Sequence, residues 1–284
     1  MLLARIRLIL GSLLVGSTGT AIGAMLPTAI AQAQTSPPQR LAYTPAKVQY
    51  FALHQQGLWL QVNSFGSKAH ATPLDLWATY YYIHQARAAD QGEDLLDVEG
   101  RSLGIKLARA DWCNAAMQGT VQVFSPTAFL STFNFAGRGG AVQVDCSDFF
   151  KSLSGSMVNR VGRARFSLSP TPLGYGAGKT QLVEFRSIAV DPDQIPLGSV
   201  VYIPAARGQA LTLSSGDRVV HDGFFYAADV GSAIRGNHID VFLGPTRQNP
   251  FPFVTSTARK PFRAYLVQDP DIARAFQAIH IKIR

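Results

Sequence analysis

The sequence predicts a mainly β protein closed into a small barrel, and three observations carry that prediction. Short apolar runs rich in Val, Ile, Phe and Tyr recur along the chain, helical stretches are few and brief, and Gly and Pro punctuate the intervals. Hydrophobic residues make up 47% of the 284 residues and charged residues only 15%, which describes a protein with a sizeable core and excludes a disordered one.

The elements follow in order. Lys47–Leu53 and Leu58–Val62 read as short strands, and Leu74–Ile83 as a strong one, rich in aromatic and β-prone residues. Polar, acidic residues up to Gly100 read as loop. Ser102–Leu107 is a strand, and Arg109–Met117 a short helix entered at Asp111, whose carboxylate can accept from the free N–H groups of a first turn. Gly119–Phe124 and Phe129–Phe135 return to the strand pattern, with a turn at Arg138–Gly140 and a brief helix over Asp148–Leu153 capped by Ser147. From Leu182 strands and turns alternate: Leu182–Val190, Ser199–Ile203, Phe224–Ala228, His238–Leu243 and Phe262–Val267. The Gly and Pro at Pro196–Gly198 and Gly231–Gly236 suit connections with tight bends. Asp269 or Asp271 starts a final helix, Ile272–Ala278.

The N-terminus stands apart. Arg5 and Arg7 precede an apolar run, and small residues at Ala29–Ala33 fit a cleavage site, so residues 1–33 read as a signal peptide, with an uncleaved anchor as the competing reading. Residues 34–73 form a linker with short strands, and residues 74–284 the barrel domain, with an insertion at about 90–180. The formal charge is +8, and removing residues 1–33 takes away two arginines and no acid, leaving about +6. A moderately basic, exported chain suits an anionic envelope polymer or a membrane surface, the latter only if the anchor stays. Nothing resembles a basic, aromatic-interleaved patch for nucleic acid. Cys113 and Cys146 suit one structural disulfide in an oxidising compartment, with two buried thiols as the alternative.

Three carboxylates stand in apolar surroundings: Asp191, Asp229 and Asp240. Such groups are costly unless paired, hydrogen-bonded or used. Asp191, in Val-Asp-Pro-Asp, has the form of a turn starter. Asp229 ends an apolar run beside Gly231, either capping a turn or lining a site where glycines let a ligand approach. Asp240 lies inside a strand pattern whose alternation puts His238, Asp240 and Phe242 on one face and Ile239, Val241 and Leu243 on a core face. The first face is either a site wall, with His238 as a proton relay, or ordinary exposed surface. Metal-ligand spacings, nucleotide-binding glycine motifs and nucleophile elbows are absent, so neither metal nor cofactor is expected.

Two spaced blocks carry a resemblance. Asp191-Pro192-Asp193-Gln194-Ile195-Pro196-Leu197-Gly198 is followed by a strand, and Ala227-Ala228-Asp229-Val230-Gly231-Ser232-Ala233-Ile234-Arg235-Gly236 closes in Asp240-Val241-Phe242. Both resemble the three-aspartate (3D) domain found in the membrane-bound lytic transglycosylase A family and in small secreted cell-wall proteins. The resemblance implies a double-psi β-barrel; the expected fold adds short flanking helices and an inserted region poor in α and β elements. It also implies cleavage of the MurNAc–GlcNAc β-1,4 bond of peptidoglycan by a monomeric protein in the periplasm, envelope or medium. By motif position Asp240 would be the acid/base and Asp229 its partner, with Asp191, Gly231, Gly236 and His238 supporting. Thr79 and Tyr80 resemble groove-lining residues of the first barrel strand. A non-catalytic glycan-binding module is the alternative.

Overall fold

Backbone alternation, rather than helix packing, builds this molecule. The computed structural model describes residues 71–283; the predicted signal segment and the strands Lys47–Leu53 and Leu58–Val62 lie outside the described residues. Six strands close a barrel: β1 (Ala71–Tyr81), β7 (Ser187–Ala189), β8 (Val200–Tyr202), β11 (Phe224–Asp229), β12 (His238–Phe242) and β13 (Phe262–Val267). Their order around the barrel is β1-β12-β7-β11-β8-β13, with β1/β12 and β7/β11 parallel and the other pairs antiparallel.

The strands are apolar on both faces because both faces are covered. Leu76, Ala78, Ile188, Val201, Phe225, Ala227, Ile239, Val241 and Ala264 fill the interior. Their alternate neighbours Val200, Tyr202, Phe224, Tyr226 and Phe242 form a second cluster with Ile272, Phe276 and Ile279 of α3 (Pro270–Ile279). Of the two acids expected to start that helix, Asp269 is the cap, accepting from the N–H groups of Asp271 and Ile272. The core face predicted for β12 is confirmed, and Phe242 on the opposite face is buried as well.

The region between β1 and β7 was expected to be poor in regular structure, and the structure corrects this. It carries a five-stranded sheet, β3-β2-β4-β5-β6, built from β2 (His84–Leu96), β3 (Ser102–Leu107), β4 (Thr120–Phe124), β5 (Phe129–Arg138) and β6 (Ala164–Leu168). Against it lie α1 (Arg109–Gln118) and α2 (Gly155–Val161). The acidic stretch read as loop is β2, which buries only Ala86 and Leu95 and so shows no alternation. Its partners on both sides, β3 and β4, hold it through the backbone. Asp111 does not cap α1: the helix begins at Arg109 without a side-chain cap, and Asp111 bonds the His84 ring at 2.8 Å instead. Ser147 caps no helix either, since Asp148–Leu153 forms turns and Ser154 caps α2 through the Met157 N–H. The run Leu182–Val190 is strand only over β7, because the chain turns at Val183–Ser187, with Phe185 at φ +59°. A small hairpin, β9 (Ala210–Thr212) and β10 (Arg218–Val220), flanks the turn at Ser214–Asp217.

Cys113 of α1 and Cys146 form a disulfide, both fully buried beside Trp112, Val144 and Phe166. It closes a sequence separation of 33 residues, which limits the unfolded chain by about 3–4 kcal/mol. Replacing both cysteines with Ala is expected to lower stability by about that amount, read from urea unfolding of the oxidised proteins. An unchanged midpoint would mean that the cross-link contributes nothing.

Candidate active site

Strand register assembles this site. β1 pairs Trp77 with His238, Thr79 with Asp240 and Tyr81 with Phe242. Asp240 pairs in turn with Ala189 of β7, and Ala189 pairs on its other side with Asp229 of β11. Neighbouring strands lie about 4.8 Å apart, so one row runs Thr79, Asp240, Ala189, Asp229. Paired residues point to the same face of a sheet, and here that face is opposite the barrel interior.

Asp229 joins the row only through a bulge. Ile188 pairs with Ala227 and the next residue, Ala189, with Asp229, leaving Ala228 as an extra residue in β11. With regular pairing Asp229 would share the face of Ala227, which is packed in the interior. One inserted residue therefore decides whether this carboxylate is in the core or beside Asp240.

Thr79 Oγ1 lies 2.7 Å from Asp240 Oδ1 and 2.8 Å from His238 Nε2. The His238 ring stacks on Trp77 with centroids 3.5 Å apart and planes within 5°. Asp229 is more heavily bonded. Its Oδ2 accepts from Tyr81 OH at 3.0 Å, its Oδ1 from the Val230 N–H at 2.8 Å, and the Ala177 N–H is a further donor. Gly176 runs tight against it: a Cβ there would sit 2.8 Å from the Asp229 Cβ and Cγ. Oδ2 of Asp240 has no hydrogen-bond partner among the described residues.

The remaining predicted residues separate. Asp191 accepts from the Gly236 N–H at 2.8 Å and tethers the loop between β11 and β12. Gly236 stands at φ +60°, the conformation that favours glycine, while Gly231 packs on Ile234. Tyr80 falls on the opposite face of β1 from Thr79 and is 40% exposed. The tyrosine at the carboxylates is Tyr81, which alternation from Thr79 would have selected. Asp222 is held by the buried guanidinium of Arg186, and His221 bonds the Phe185 carbonyl at 2.8 Å, so this second His–Asp pair is structural. No cluster of three or more His, Cys, Asp or Glu suited to a metal occurs among the described residues.

Residues 186–249 match the 3D domain. The matched span holds all three aspartates, while Thr79 and Tyr81 reach its carboxylates, and Trp77 its His238, from β1, outside it. Among solved structures, the chain is similar to E. coli MltA with bound chitohexaose at 18% identity, over 69% of this chain and 74% of that one, with a TM-score of 0.44. A membrane-bound lytic murein transglycosylase from Agrobacterium tumefaciens matches at 15% identity, over 73% and 79%, with a TM-score of 0.43. The lytic transglycosylase LtgG of Burkholderia pseudomallei matches at 18%, over 78% and 87%, with a TM-score of 0.39. No curated protein sequence matches the chain.

Electrostatics divide the two carboxyls. Burial pushes Asp240 up to about 6; the Thr79 hydroxyl opposes the shift and the charge of Asp229 adds to it. Burial also pushes Asp229 up to about 6, against the donors Val230, Tyr81 and Ala177. The two groups interact, so the first to ionise raises the other. Three donors favour the charged form of Asp229 and one that of Asp240, so Asp229 ionises first and Asp240 keeps its proton. Tyr81 is raised well above its ordinary value by burial and then by Asp229, so it remains a donor. Burial lowers His238, leaving its ring neutral near pH 7.

The raised value of Asp240 has a sign in stability. Its favourable contribution is complete below the unfolded value near 3.8 and is lost as pH rises through about 6. Asp240→Asn should therefore be more stable than the native protein at pH 8 by about 1–2 kcal/mol, after discounting for solvent access, and equal to it at pH 3. Urea unfolding at both values reads the difference; a variant less stable at pH 8 contradicts the burial argument.

Proposed function

We propose that this protein is an exported peptidoglycan lytic transglycosylase acting in cell-wall turnover, with Asp240 as its acid and base. The observation that carries the reading is the unequal engagement of the two carboxyls. Glycoside hydrolases generally need two open carboxyls, one to protonate the leaving oxygen and one to attack carbon or activate water. Here both Asp229 oxygens are engaged by Tyr81 and Val230, and only Asp240 has an oxygen open to a substrate. A reaction served by one carboxyl fits that arrangement, and the 3D match over residues 186–249 supports it. The domain reading, a barrel unit over residues 74–284 interrupted by an insertion, belongs to the same proposal.

Asp240 donates its proton to the glycosidic oxygen as the bond to the muramic anomeric carbon breaks. The resulting carboxylate takes the proton of the C6 hydroxyl, and that oxygen closes on the anomeric carbon to give a 1,6-anhydro end. Asp240 is protonated again, and no water enters the product. Ionised Asp229 beside it keeps the acid form populated, and Asp191 holds the loop that shapes the groove. The acid form declines above about 6, so kcat/KM falls with rising pH on that side.

Digestion of purified sacculi followed by mass spectrometry tests this. The expected products are 1,6-anhydromuropeptides, reduced at least about 100-fold by Asp240→Asn. Reducing ends instead would indicate a hydrolase. Retention on sacculi without product would favour the glycan-binding module, and full activity in Asp240→Asn would remove the assigned role.

A further inference from the structure

Thr79 stands between two groups that compete for one proton. A hydroxyl donates once and accepts through its lone pairs, yet its oxygen is within hydrogen-bond distance of both Asp240 Oδ1 and His238 Nε2. It can donate to only one of them at a time. The other must then donate to it.

We infer that Thr79 and His238 form a reversible hydrogen-bond chain whose direction follows whether Asp240 Oδ1 carries a proton, making both residues positioning residues for that proton. The inference rests on Asp240 as the proposed acid. When Asp240 is neutral, Oδ1–H donates to Thr79, Thr79 donates to His238 Nε2, and the ring carries its proton on Nδ1, with the Ala233 backbone as a further partner of the ring. When Asp240 is a carboxylate, Thr79 donates to it, because a hydrogen bond to an ion is about twice as strong as one between neutral groups. His238 then carries its proton on Nε2 and donates to Thr79. Converting one state to the other moves a proton from Asp240 Oδ1 to Thr79 and the threonine proton to Nε2, while water removes the proton on Nδ1.

Three features support the chain. The ring is held in plane by its stack on Trp77, with Nε2 aimed at Thr79. Burial keeps the ring neutral, opposed by the Ala233 carbonyl, so a single ring proton has two possible seats. Oδ2 of Asp240, without a partner among the described residues, is left for the substrate in both directions. A glycosidic oxygen arriving there draws the acidic proton to Oδ2, through exchange with water, and Oδ1 becomes an acceptor for Thr79. Charge developing on the carboxylate then meets a donor already in place. The other groups facing the chain are Asp229 from β11 and Tyr81 from β1, while Arg235 acts on Asp191.

The test is nuclear magnetic resonance on the whole protein, following the His238 ring nitrogens and the Asp240 carboxyl carbon between about pH 5 and 8. The expected result is a move of the ring proton from Nδ1 to Nε2 with the same midpoint as Asp240 ionisation, and no such move in Asp240→Asn. Two near-isosteric variants separate the two links of the chain. His238→Phe keeps the stack on Trp77 and removes one neutral hydrogen bond from each of the two states, so Asp240 titrates within about half a unit of its native midpoint. Thr79→Val removes the donor to the carboxylate, so Asp240 titrates about one unit higher. A ring proton fixed through the Asp240 titration, or a Thr79→Val variant that leaves the Asp240 titration unmoved, would overturn the chain. None of these readings uses activity, so failure of the chain and failure of the proposed function are read by separate experiments.

Discussion

The pairing of β7 with both β11 and β12 is the constraint on which the rest depends. Ala189 is a small residue with a carboxylate on either side, and everything chemical in the site is placed by that register. A regular strand would deliver Asp229 to the apolar interior, where an unpaired carboxylate costs several kcal/mol. The bulge at Ala228 avoids this and brings the acid to the face where Tyr81, Val230 and Ala177 can bond it. Bulges are common beside active sites because they re-aim a single side chain without disturbing the strands around it.

Two carboxyls in one low-dielectric pocket cannot ionise independently, and the surroundings decide which ionises first. Burial raises both. The donors are unequal, and that inequality separates an anchored anion from a proton carrier. Such a site is held at some expense of stability at neutral pH, which the double-sided burial of β8, β11 and β12 offsets. Asp222, paired with Arg186, shows the contrasting solution: burial raises it, but the charges of Arg186 and His221 and the hydrogen bonds from Arg186 and the Phe224 N–H together keep the carboxyl below its usual range.

Much of this arrangement was legible in the chain because alternation in β12 is strict. Ile239 and Val241 announce the interior, and Asp240 follows as a residue of the other face. The disulfide was likewise open to inference from two cysteines in an exported chain. The bulge was not legible, since one extra alanine leaves no mark in composition. Tyr81 is not distinguishable from Tyr80 by composition, because a run of three tyrosines hides which member shares the face of Thr79. β2 is hidden for a different reason: a polar strand held by backbone bonds on both sides needs little apolar pattern of its own. The neighbourhood of Thr79, Asp240 and Asp229 spans more than 150 residues of sequence, and only barrel closure creates it.

The division of labour between the two aspartates is the centre of this account. Carbon-detected nuclear magnetic resonance of the carboxyl groups, titrated from about pH 3 to 8, measures it directly. Asp229 should lose its proton first, and Asp240 should follow at higher pH, with Asp229→Asn moving Asp240 downward. If Asp240 ionises first, or is indifferent to the loss of Asp229, the assignment of acid and tuner is wrong.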